Sequence, residues 1–162
     1  LRRQRQMCIR DRVDSRLDMP LSAQLLDTLG TGDQARQIWV YTAVDPDNAV
    51  QAEKRSALSA RGVTVIDMPG PGGKVDLSAM LRDLARREIN ELHVEAGHKL
   101  NGSFIREDLV DEYLVYLAPQ LLGPGQGMAN LPVLTALGDA VQLGFHAVER
   151  IGPDLRLLLR RA

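Results

Sequence analysis

The chain has 162 residues, 44% of them hydrophobic, and a formal net charge of −1, which fits one globular domain with a true core. Balanced charge excludes the broad basic surface that holds nucleic acid or an anionic membrane, and no apolar run reaches the roughly 18 to 20 residues of a bilayer span. The lone cysteine, Cys8, can form neither an internal disulfide nor a thiolate metal site.

The start, LRRQRQMCIRDR, carries Arg2, Arg3, Arg5, Arg10 and Arg12 without periodicity. It lacks the apolar middle of a secretory signal, so a soluble, cytoplasmic protein is expected. QMCIRDR also resembles translated adapter sequence. Leu1 to Arg12 are therefore read as a non-structural or artefactual leader, and the domain as running over 13–162.

From Val13 onward short apolar runs alternate with amphipathic stretches, the mark of an α/β chain. QIWVYTAV, Gln37 to Val44, is β-branched and aromatic enough for a strand, ended by Asp45-Pro46-Asp47. Ala49 to Ala60 reads as a helix with Gly62 just past its end. VTVIDMP, Val63 to Pro69, is a second strand, leaving through the Gly70-Pro71-Gly72-Gly73 loop. Over Asp76 to Arg87, Leu77, Met80, Leu81 and Leu84 recur at helical spacing, with Asp76 as the N-cap or a first-turn acid. LHVEA, Leu92 to Ala96, reads as a strand, followed by a short helix through Phe104 and Leu109 and by the strand EYLVYLAP, Glu112 to Pro119. After a loop with Gly123, Pro124, Gly125 and Gly127, the runs AVQLGFHAVERI and DLRLLLRRA flank Gly152-Pro153-Asp154 as a hairpin. The expected architecture is a mostly parallel central sheet with helical crossovers and an antiparallel carboxyl-terminal hairpin. Ligands of such sheets sit at the carboxyl ends of the strands.

The stretch ELHVEAGHKLNGSF, Glu91 to Phe104, is where chemistry is expected. On an extended segment Glu95 shares a face with His93 and ends the predicted strand, where it can accept hydrogen bonds from a polar substrate. Gly97 allows a tight turn, Gly102 and Ser103 follow on the next turn, and the N–H groups of a helix start suit a pyrophosphate, with Lys99 as an added charge. A plain strand-to-helix turn with a structural glycine reads the same letters. The spacing lacks the Lys-Ser/Thr of a Walker loop.

VEAGHKLNGSFIREDLVDEYLVYLAPQLLG, Val94 to Gly123, resembles the carboxyl-terminal reductase domain of the bifunctional riboflavin biosynthesis deaminase-reductases. The combinations Leu109-Val110-Asp111-Glu112, Ala118-Pro119 and Leu121-Leu122-Gly123 carry the likeness, and VDSRLDMPL, Val13 to Leu21, is similar to that family's strand ending in Asp-Ser-Arg. The resemblance implies a dihydrofolate-reductase-like three-layer fold, truncated here at its amino end and without the zinc deaminase domain. It implies NADPH-dependent reduction of 5-amino-6-(5-phosphoribosylamino)uracil to the ribitylamino product. It also implies that Glu95 contacts substrate, that Gly97, His98, Lys99, Leu100, Asn101, Gly102 and Ser103 contact NADPH, that Ser15 contacts the adenosine end, and that the protein is a homodimer. Arg16, beside Ser15, is our own choice for a 2′-phosphate partner, since a guanidinium holds phosphate bidentately. No residue is assigned as catalytic. His98-Lys99 departs from the Pro-Thr of many members. The competing reading is a non-catalytic nucleotide-binding or dimerisation module of the same fold.

Other constellations have simpler explanations. His93, Glu95 and His98 lack the Pro-Cys-x-x-Cys partner of zinc deaminases, so no metal site is expected. His146 reads as a strand residue, Asp111 and Glu112 as connection residues, the two Gly-Pro-Gly loops as punctuation, and Trp39 with Tyr41 as core or interface packing.

Overall fold

The computed structural model describes residues 9–29 and 37–162. The chain forms two compact units divided between Leu92 and His93.

The first unit is built on a three-stranded parallel sheet of β1 (Ile9–Val13), β2 (Gln37–Thr42) and β3 (Val63–Asp67), in that order. In β2 every residue after Gln37 is buried, the near-continuous apolar run of a parallel strand covered on both faces. Ile38 and Val40 point to one face, where Leu17, Met19, Leu26, Leu58 and Val63 complete the core. Leu58 comes from α1 (Ala49–Ala60), the crossover between β2 and β3, capped at its start by Asn48, whose side chain accepts the Val50 N–H at 3.1 Å. Gly62, at φ +88°, ends it as the sequence predicts: its N–H reaches the Ser59 carbonyl in a left-handed conformation that a side chain would strain.

Trp39 and Tyr41 are buried on the opposite face, toward α2 (Leu77–Arg86). Asp76 caps α2 by accepting the Ala79 N–H at 2.8 Å, and the apolar spacing seen in sequence buries Leu77, Met80 and Leu84. The Tyr41 hydroxyl donates to Asp83 at 2.9 Å, Arg87 donates to the same carboxylate at 2.7 Å, and the Arg87 guanidinium lies 4.8 Å from the Trp39 ring centroid. Burial alone would raise Asp83, but the bonds from Arg87 and Tyr41 outweigh it and hold its carboxyl below the usual range. Burial, then the bond to Asp83, pushes the Tyr41 phenol up.

Two sequence expectations need correction. Ile9 to Arg12 belong to β1, which pairs along its length with β2, Asp11 opposite Trp39; a parallel neighbour satisfies backbone groups that charge-rich letters alone do not forecast. Leu1 to Cys8 lie outside the described residues. LHVEA is no strand: Glu91 to Gly97 carry no regular structure. Alternation permits a strand, but a strand exists only as one side of a ladder, and Leu92 to Ala96 pair with none among the described residues.

The second unit holds α3 (His98–Arg106) and a separate antiparallel sheet ordered β4 (Glu112–Leu117), β6 (Asp154–Arg161), β5 (Leu143–Ile151). The parallel and antiparallel parts thus form two sheets, where the sequence suggested one. Ile151 pairs with Asp154 across Gly152-Pro153. Gly152 has φ +60° and proline fixes a negative φ, the sign pattern of a type II′ turn, which matches strand twist. Glu112 pairs with Arg160 at 2.9 Å and Glu149 with Arg156 at 2.6 Å across this sheet. His146 stands at a bulge in β5.

Burial raises the Asp11 carboxyl to about 6, only partly opposed by Arg87. The folded chain therefore holds this proton more tightly than the unfolded chain, and stability is expected to fall as pH rises from about 4 to 6. Thermal melts across that range should show a negative slope that Asp11→Asn flattens; an unaltered slope would remove Asp11 as its source.

Candidate functional site

Two places carry the residues singled out in the sequence. The first is a cleft of about 340 Å³ at the carboxyl ends of β1 and β2, lined by Ser15, Arg16, Asp18, Asp45, Asn48 and Gln51 among others. Its position follows from the parallel sheet, whose loops diverge beyond the strand ends.

Asp14, the residue after β1, is buried and accepts the N–H groups of Asp18 at 2.8 Å and Met19 at 2.7 Å. Its carboxylate folds Ser15 to Asp18 into a fixed turn. The Ser15 carbonyl accepts the Ala43 N–H at 3.1 Å, joining this turn to the exit of β2. The Ser15 hydroxyl accepts the Val75 N–H at 3.2 Å, and because a hydroxyl both accepts and donates, its hydrogen remains available to a ligand oxygen. Arg16 projects into solvent, its Nε 2.9 Å from the Asp18 carboxylate. Asn48 spends its side-chain oxygen on the cap of α1 and so offers its NH₂. Sequence reasoning singled out Ser15 and Arg16 but passed over Asp14, Asp18, Asn48 and Gln51 and took Asp45 only as turn chemistry; these lie on separate segments that only the fold assembles.

The second place is the turn at α3. Gly97 is its N-cap, extended at φ −74°, and supplies no side-chain cap to the first amides. Glu95, just before it, is exposed, its carboxylate 3.5 Å from His93 Nε2. Lys99 is exposed and Leu100 half-buried. The later residues of the turn are engaged by the loop after β4. The His98 carbonyl accepts the Asn130 N–H at 2.9 Å, and the His98 ring meets the Gln126 amide at 3.3 Å. Asn101 donates to the Met128 carbonyl at 3.1 Å, and Arg106 donates both to Ser103, at 3.0 Å, and to the Asn130 carbonyl. Gly102 is buried against the Asn130 backbone. The structure therefore splits the predicted cofactor stretch: the amides of Gly97, His98 and Lys99 open the helix, the Leu100 N–H donates to the Gly97 carbonyl at 3.1 Å, and the His98 ring and Asn101 to Ser103 meet protein. The Gly123–Gly127 loop, read as punctuation, leads into the segment that covers them.

A parallel βαβ unit with a cleft at its strand ends, followed in the chain by a glycine-opened helix and an antiparallel sheet, defines the class as an α/β fold. The solved structure of Acinetobacter baumannii RibD superposes with a TM-score of 0.72 at 23% identity, over 95% of this chain and 37% of that one. Residues 3–157 match the family described as the RibD C-terminal domain. The chain belongs to that family. It is 40% identical over 98 residues to the riboflavin biosynthesis protein RibD of Escherichia coli, a match covering 60% of this chain and 27% of that protein. It is 32% identical over 87 residues to the 5-amino-6-(5-phosphoribosylamino)uracil reductase of Buchnera aphidicola, covering 53% of this chain and 42% of that one. The matched region thus spans less than half the length of either relative.

The glycines of the turn should separate in mutation. A Cβ on Gly102 would lie 2.7 Å from the Asn130 nitrogen, whereas one on Gly97 meets nothing within 4 Å. Gly102→Ala is expected to cost about 1 to 3 kcal/mol, the range of local overpacking, and Gly97→Ala under about 0.5 kcal/mol, typical of an open site. Denaturant titrations would reveal the difference; equal losses would contradict the packing described.

Proposed function

We propose that this chain is part of an NADPH-dependent reductase of riboflavin biosynthesis that converts 5-amino-6-(5-phosphoribosylamino)uracil to 5-amino-6-(5-phosphoribitylamino)uracil. The observation that carries this reading is the helix start at Gly97, which has no side-chain cap and follows an exposed carboxylate, Glu95. Membership of the RibD C-terminal family supplies the reaction class.

In this reading the amides of Gly97, His98 and Lys99 receive the cofactor pyrophosphate, because a helix start gathers N–H donors and partial positive charge, while Leu100, whose N–H donates to the Gly97 carbonyl at 3.1 Å, lines the same turn. Asn101 and Gly102 act on the cofactor by fixing that helix against Met128 and Asn130, and Ser103 by accepting from Arg106, which also donates to the Asn130 carbonyl. Ser15 donates its hydroxyl hydrogen at the adenosine end, and Arg16 takes the 2′-phosphate. Glu95, whose carboxylate oxygens accept, orients the pyrimidine through the ring N–H groups. NADPH, when bound, supplies the hydride that reduces the sugar C1′ carbon. The protein's share is position and electrostatics, and no side chain is assigned the proton.

The same reading makes the enzyme a cytoplasmic homodimer acting on a small molecule. Among the described residues no helix is long and apolar enough to cross a membrane. Pairing across the antiparallel sheet puts Val115, Leu117, Leu155, Leu157, Phe145 and Val148 on one face, and Phe145 is 68% exposed. A second copy is the occupant we propose for that face.

One observation favours the alternative of a non-catalytic nucleotide-binding module: the segment bearing Glu95 belongs to no sheet, so its carboxylate is held by little. The two readings part in one assay. With the pyrimidine substrate present, the reductase is expected to consume NADPH, and Glu95→Gln to raise KM for the pyrimidine on the order of tenfold, the worth of one charged hydrogen bond. NADPH affinity should stay level. NADPH binding without turnover supports the module, and an unmoved KM takes Glu95 out of the site.

A further inference from the structure

The cleft at the ends of β1 and β2 holds an ion pair that its proposed ligand would have to confront. Among the described residues Arg16 is the only cation lining it. Two carboxylates, Asp18 and Asp45, line it as well. Asp18 already accepts from Arg16 Nε at 2.9 Å, and its backbone N–H is anchored to Asp14 at 2.8 Å. The carboxylate therefore stands on a fixed turn. Asp45 is similarly committed locally, accepting the Asp47 N–H at 3.0 Å.

A ribose 2′-phosphate brings about two negative charges. A guanidinium recognises it well, but a carboxylate within reach repels it, and carboxylates instead accept hydrogen bonds from a free ribose 2′-hydroxyl. The Arg16 and Asp18 side chains are 83% and 59% exposed, so their pair is weak and a phosphate can compete for the guanidinium. Breaking the pair leaves Asp18 close to the incoming charge. Asn48 and Gln51 contribute amides, which serve hydroxyl and phosphate alike.

We propose that Asp18 is a specificity-determining residue: by competing with the 2′-phosphate for Arg16, it lowers the preference of this cleft for NADPH over NADH. The proposal rests on the reading of the cleft as the adenosine end of the cofactor site.

The test is calorimetric titration of the full chain with 2′,5′-ADP and with 5′-AMP, probes that differ in the 2′-phosphate and require no turnover. The native chain is expected to favour 2′,5′-ADP by no more than about threefold. Asp18→Asn, which keeps shape and removes charge at an exposed position, should raise that ratio about fivefold to tenfold, and added salt should shrink the gain. Arg16→Gln should abolish the preference in both backgrounds. A ratio unmoved by Asp18→Asn but lowered by Arg16→Gln overturns the role of Asp18 and leaves the cofactor reading standing. Failure of both probes to bind the native chain overturns the cofactor reading of the cleft, and the proposal with it.

Discussion

The buried carboxylate of Asp14 accepts the amides of Asp18 and Met19, and the geometry of the cleft depends on those bonds. A chain leaving a parallel strand must satisfy its backbone groups without a ladder, and a buried carboxylate satisfies donors that would otherwise be lost from water. The bonds set Leu17 and Met19 into the core, where both are fully buried, and turn Ser15, Arg16 and Asp18 toward the cleft. One residue thus serves packing and site together. Of the Asp-Ser-Arg triplet, the first member builds the turn and the other two line the cleft.

Much of the fold was legible because its signals are local. Asp76 at the head of α2, Gly62 past the end of α1 and Gly152-Pro153 between β5 and β6 act through backbone groups within a few residues of themselves. The apolar spacing of Leu77, Met80 and Leu84 likewise needs only the helix that carries it. LHVEA misled for the opposite reason. Its alternation was sound, but a strand is a relation between two segments, and among the described residues no strand pairs with it. Ile9 to Arg12 are the mirror case: letters without pattern become strand because β2 offers a ladder.

The site was legible to a lesser extent. Motif resemblance singled out Glu95, Gly97 and Ser15. It could not reveal that Asn130, far along the chain, lies against Gly102, or that Gln126 meets His98. Those contacts explain the small residue at Gly102 without any ligand: the Asn130 backbone occupies the space of a side chain. A glycine in a nucleotide-binding stretch is therefore not by itself a sign of contact with the nucleotide, since close approach of the chain's own backbone makes the same demand.

The two places offer an anion different kinds of charge. The start of α3 offers amides, whose partial charge is fixed by the helix and has no acidic side chain as its cap. The cleft offers a full charge on Arg16, already matched by Asp18. Attraction to an exposed guanidinium fades with salt and with any neighbouring carboxylate, whereas amide hydrogen bonds depend on alignment and persist. The backbone around Gly97 thus suits anchoring of an anion, and the cleft at Arg16 suits discrimination. Discrimination is the property that a single charge change can retune, because it requires no movement of the turn that Asp14 holds.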